Sequence, residues 1–227
     1  MISTLHAIGM TDSMITSSVI TIVLCVIAII VGRNLSVEKP EGVQNAVEMG
    51  IEKLHGFFEG LMGKEMCRKY FPLVGTLFIY ILACNYSGLL PLAGQAPGFQ
   101  APTSNMNFPA GLALLVIVLV QIIGIREYRG MGTYKRMIRP FVFILPLMLM
   151  DELAKPISLT FRLYGNTYGD EMVVEVLREI CPFLLPAVMQ LLVVLLALIQ
   201  AIVFALLTAI YIGEAVEKET NLPIRQD

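Results

Sequence analysis

Five polar residues, Asp151, Lys155, Ser158, Arg162 and Asn166, recur at three- and four-residue spacing in a chain that is otherwise strongly apolar. On a helix turning about 100° per residue, all fall within about 40° of Arg162 and form one polar face. Glu171 lies about 180° around from Arg162, and Glu175 lies close to the face of Glu171. The two polar faces therefore sit at different depths. One runs inward from Arg162 and the other outward from Glu171. Arginine keeps its charge in almost any environment. A charge at membrane depth costs roughly 2.5–3.5 kcal/mol on insertion scales and usually marks an ion path or a functional pair. The chemistry this pattern suits is passage of a small cation along two half-paths with a permanent positive charge between them. Arginine attracts a carboxylate there without handing on a proton, whereas a buried lysine could lose its own. The alternative is that the charges pair internally, Asp151 with Lys155 for example, and hold a helix bundle together.

The last apolar stretch adds Gln190, Gln200, Thr208 and Tyr211. Gln200 stands alone in LLALIQAIVFALL, and a buried amide needs a partner. Arg162 on the preceding helix is within reach; an ordinary interhelical hydrogen bond is the simpler expectation.

The elements that must position these residues are membrane helices. Hydrophobic residues make up 56% of the 227 residues and charged residues 15%, against about 25% charged in soluble domains. A net charge of −2 leaves no basic surface for nucleic acid. Cys25, Cys67, Cys84 and Cys181 form no CxxC pair and read as small apolar helix residues. His6 and His55 are too far apart to suggest a metal site, and no cofactor is expected. The residues before the first apolar run carry no Lys or Arg, so no signal peptide is expected.

Residues 14–31, 71–92 and 108–125 read as three near-perpendicular transmembrane helices. Residues 40–63 carry Val43, Val47, Ile51, Leu54, Phe58 and Leu61 at helical spacing among charges, as an interfacial amphipathic helix would. A helix packed on cytoplasmic parts is the alternative. Residues 141–179 and 182–214 read as a hairpin of two long, strongly tilted helices turning near Cys181 and Pro182, with Pro156 placed to kink the first. The run from Ile180 to Gly213 has 34 residues without a formal charge, a rise of about 51 Å against a hydrocarbon core of about 30 Å. The fold class is thus an all-α polytopic membrane protein forming a single membrane domain over 1–227.

Six Lys and Arg residues between Gly32 and Tyr70, and five between Arg126 and Pro140, place those stretches in the cytoplasm. The N-terminal residues 1–13 and the 91–107 loop then lie outside, and the 126–140 loop and the 215–227 tail inside.

At these residues the chain closely resembles subunit a of F-type ATP synthases. The resemblance rests on KPISLTFRLYGN, carrying Arg162, Gly165 and Asn166, and on IQAIVFALLTAIY, carrying Gln200 and Tyr211. PEGVQNAVE, NYSGLLP and PTSNMN match more weakly, and the whole runs from about Pro40 to Gly213. It implies a non-catalytic subunit of the membrane sector, in contact with a ring of c subunits, with b-type peripheral-stalk subunits, with the rest of the ATP synthase and with lipid. Arg162 matches the family's essential arginine, which holds an arriving ring carboxylate ionised and blocks a direct ion leak. Asn166 and Gln200 match polar residues facing the ring, and Glu171 a titratable position of the outer half-channel. Asn105 and Gly88 stand where other members have Asp, and Val193 where some have His or Glu. The outer path is therefore expected to use Glu171, Glu175, Asn85, Asn105 and Gln190, and the inner mouth Asp151 and Glu152. The expected ion is a proton, with Na⁺ the alternative, and the expected site a bacterial plasma membrane. A stand-alone channel or transporter and a membrane scaffold are the competing classes. The internal repeats common in transporters are not seen.

Overall fold

A chain segment in hydrocarbon can satisfy its backbone polar groups only in a helix or a closed barrel, so long apolar runs should be helical. The computed structural model describes residues 12–33, 43–89, 101–127, 145–180 and 184–220, and no strand occurs among them. The elements are α1 (Asp12–Arg33), α2 (Val43–Met62), α3 (Lys64–Ser87), a 3₁₀ turn (Pro102–Ser104), α4 (Asn107–Glu127), α5 (Leu145–Ile180) and α6 (Leu184–Thr220). Helices α1, α3, α4 and α6 are each long and apolar enough to cross a membrane. The protein is an all-α polytopic membrane protein. Helix α5 has 36 residues, but its charges keep composition alone from marking it as a span.

Two helices differ in extent from those expected. Helix α3 begins at Lys64, not at residue 71, and ends at Ser87. Its buried stripe starts early, with Cys67, Tyr70, Val74, Leu77, Ile81 and Cys84 three or four residues apart, while Lys64, Glu65, Arg68 and Lys69 stay exposed. Charge alone misreads this first turn as loop. The link to α2 is Gly63 alone, at φ +77, a conformation that L side chains rarely adopt. Helix α6 continues to Thr220, six residues past the expected end. Pro156 does not end α5, which runs through it as one helix. The residues expected to form the turn near Cys181 and Pro182, the 126–140 loop beyond Glu127, most of the 91–107 loop and the extreme termini lie outside the described residues.

The core lies where α3, α4, α5 and α6 meet. Ala197, Ala201, Ala205 and Ala209 form a small-residue stripe along α6, with Phe204 and Ile212 buried beside them. Small residues let helix backbones approach closely where lipid supplies no hydrophobic drive. Helix α3 packs against α6, and α4 packs against both α5 and α6. Ala113, Val116 and Val120 of α4 and Leu159 and Leu163 of α5 complete the cluster. Leu159 and Leu163 fix the rotation of α5 and so decide which way Arg162 points.

The amphipathic stripe of α2 divides. Phe58 is fully buried and packs near Phe71 of α3, ring centroids 6.5 Å apart, while Val47, Ile51 and Leu61 stay exposed. Helix α1 touches the rest of the fold at its N-terminal end, where Ser13 and Thr16 are buried.

Candidate ion-translocation site

Arg162 lies exposed on α5. Among the described residues it makes no ion pair or hydrogen bond, although its charge is felt at the Tyr211 ring. Ser158 and Asp151, on the same face, are also exposed. Leu153, Ile157 and Phe161 extend this open surface as exposed apolar side chains.

Gln200 does not reach Arg162. Its Oε1 accepts a hydrogen bond from Asn166 Nδ2 at 2.7 Å. Asn166 lies one helical turn beyond Arg162, and the packing of α5 on α6 aligns it with Gln200 instead. Gln200 Nε2 is buried without a partner among the described residues.

Toward the N-terminal end of α5, Lys155 turns away from the open face into a cluster. Its Nζ lies 3.0 Å from Glu214 of α6 and 3.7 Å from Glu152. It also stands 5.0 Å above the Tyr211 ring. Gln121 of α4 donates to Glu152. Of the internal pairing weighed as the alternative, Asp151 with Lys155 does not form; Lys155 pairs with Glu152 and Glu214 instead. Glu214 follows the last apolar run and carried no signal beyond its charge.

A second cluster lies at the other end of α5. Glu171 accepts a hydrogen bond from Ser104 Oγ in the Pro102–Ser104 turn. Asn85 of α3 is buried and donates from Nδ2 to the Ala197 carbonyl at 3.4 Å, while its Oδ1 has no partner among the described residues. Gly88 lies against this site. A Cβ added there would meet Ala101 Cβ at 2.9 Å and Glu171 Oε1 at 3.7 Å. The seating of the turn leaves no room for a side chain at Gly88. Asn105 is instead used locally, its Oδ1 accepting the Asn107 N–H at 3.1 Å at the start of α4. Glu175 and Gln190 are exposed. Ser104 went unremarked within its PTSNMN match because hydroxyls are common in turns.

The two clusters lie on α5 on either side of Arg162, about 13.5 Å away at Glu171 and about 10.5 Å away at Lys155, by rise along the helix. One is acidic without an ion pair among the described residues, and the other pairs its charges.

Comparison with known proteins identifies the family of the chain. The family described as ATP synthase A chain matches residues 14–213. The ATP synthase subunit a of Moorella thermoacetica is 42% identical over 164 residues, covering 70% of this chain and 72% of that protein. The chloroplastic ATP synthase subunit a of Stigeoclonium helveticum is 38% identical over 182 residues, covering 78% and 74%. ATP synthase subunit a 1 of Syntrophotalea carbinolica is 40% identical over 159 residues, covering 68% and 64%. The chain belongs to the ATP synthase A chain family, whose members are membrane-sector subunits of the ATP synthase.

Proposed function

We propose that this chain is the proton-translocating stator subunit of an F-type ATP synthase and has no catalytic site of its own. The observation that carries the reading is Arg162, exposed and without a partner among the described residues, between two polar clusters at opposite ends of the same helix. A cation placed so forms no salt bridge with the described residues of the bundle. It suits an anionic partner outside this chain, and the open apolar face around Ile157 and Phe161 suits a neighbouring ring of c subunits.

In this mechanism an ion enters from outside beside Glu171 and neutralises a ring carboxylate. The neutral carboxyl then rotates through lipid without the cost of a buried charge. On returning, it loses its ion to the inner path near Asp151 and Ser158. Arg162 holds the emptied carboxylate ionised and repels any cation taking a direct route. Asn166 and Gln200 line the approach, with Tyr211 toward the inner side. The basic stretches support an N-terminus outside and a C-terminus in the cytoplasm of a bacterial cell. Stalk subunits of b type hold the chain against the torque, and α2, with Val47, Ile51 and Leu61 exposed, rests at the membrane interface.

The test is ATP-driven ion uptake into liposomes carrying the purified complex, wild type against Arg162→Ala, with and without Na⁺. Loss of coupled uptake in an assembled mutant complex supports the reading. Undiminished uptake removes it. Uptake that depends on Na⁺ reassigns the ion.

A further inference from the structure

The Pro102–Ser104 turn is buried at all three residues and wedged between other elements. It packs against the N-terminal end of α1, against α3 and against α5. Ala101 is 1% exposed and sits tightly against Gly88. The turn closes through Ser104 N–H to the Ala101 carbonyl at 3.2 Å and Asn105 N–H to the Pro102 carbonyl at 3.3 Å. The Ser104 hydroxyl is therefore delivered to Glu171 from a rigid seat. In the turn and in two helices packed on it, the buried hydroxyls of Thr103 and of Ser13 in α1 and the buried Oδ1 of Asn85 in α3 have no partner among the described residues. Buried polar atoms in this condition usually hold ordered water.

We infer that Ser104 is a positioning residue for Glu171, fixing its carboxylate at the end of a water-filled approach that passes the turn and the first helix. This rests on the ion-translocating reading above. A donor to a carboxylate favours its ionised form and holds its orientation. The groups facing Glu171 from packed elements are Ser104 of the turn and Gly88 just past the end of α3, neither of which titrates here. The carboxylates of Asp170 and Glu175, which also act on Glu171, belong to its own helix.

The experiment measures the pH dependence of ATP-driven uptake by fully assembled, reconstituted complexes bearing Ser104→Ala, Ser104→Thr, Glu171→Gln, or Ser104→Ala with Glu171→Gln. Ser104→Ala is expected to move the half-maximum to higher pH by about one unit, the size of a lost hydrogen bond to a charged group. Ser104→Thr, which keeps the hydroxyl, should restore the wild-type profile. In the Glu171→Gln background, Ser104→Ala should change nothing further. A Ser104→Ala profile that superimposes on wild type, or the same shift with Glu171→Gln present, overturns the inference. The Arg162→Ala complex, run alongside, separates the outcomes. Undiminished coupled uptake there would sink the underlying reading instead.

Discussion

The two ends of α5 solve the problem of membrane charge in opposite ways. At the Lys155 end, one cation meets Glu152 and Glu214, and Gln121 satisfies Glu152 further. At the Glu171 end, three carboxylates gather with no ion pair among the described residues, although Arg178 lies further along the same helix, and a single serine hydroxyl holds Glu171. Paired charges stabilise a fold and resist titration. Carboxylates without a counter-ion, beside unpartnered buried hydroxyls, are suited to accept a cation from water. One end of the helix reads as a strut and the other as a receptor, and Arg162 lies between them with no partner among the described residues.

Arg162→Ala should act on the region between the ends and have the largest effect. Coupled transport is expected to disappear while the complex still assembles, because Arg162 is exposed and makes no ion pair or hydrogen bond among the described residues. Co-purification of the ring with the mutant, together with uptake assays, checks both halves. Glu171→Gln should slow transport several-fold and change its pH profile while leaving thermal stability near wild type. An unchanged profile would remove Glu171 from the path and break the contrast at its receptor end.

The strut end should respond in the reverse sense. Lys155→Gln leaves two half-buried carboxylates facing each other and should lower stability by about 1–2 kcal/mol, below the value for a fully buried pair. Thermal unfolding of the detergent-solubilised complex measures this. A double-mutant cycle with Glu214→Gln should give a coupling energy of about 1 kcal/mol. Zero coupling would mean the pair is incidental.

Gly88→Ala tests the seat of the turn. The added Cβ would stand 2.9 Å from Ala101 Cβ, so a cost of about 1–3 kcal/mol is expected, recovered in part by Ala101→Gly. Gly63→Ala should have the smallest effect, about 1 kcal/mol of backbone strain at φ +77, with transport unchanged in the assembled complex.

Much of this arrangement is legible without coordinates. Helical periodicity set Arg162 and Glu171 on opposite faces of one helix, and uncharged length identified the long apolar runs. The structure revised what depends on neighbours. Gln200 found Asn166 instead of Arg162. Lys155 chose Glu152 and Glu214 over Asp151. Asn105 was spent on the start of α4.

Local pattern is enough to specify the class of element, the polar faces of α5 and the family. These follow from hydropathy, from the 3.6-residue period and from motifs that sit close together in the chain. Partnership depends instead on packing between distant segments. Ser104 meets Glu171 across 67 positions, and Lys155 meets Glu214 across 59. No local pattern encodes such pairs, because they depend on how α5 is rotated by Leu159 and Leu163 against the alanine stripe of α6 and on how tightly the turn seats against Gly88.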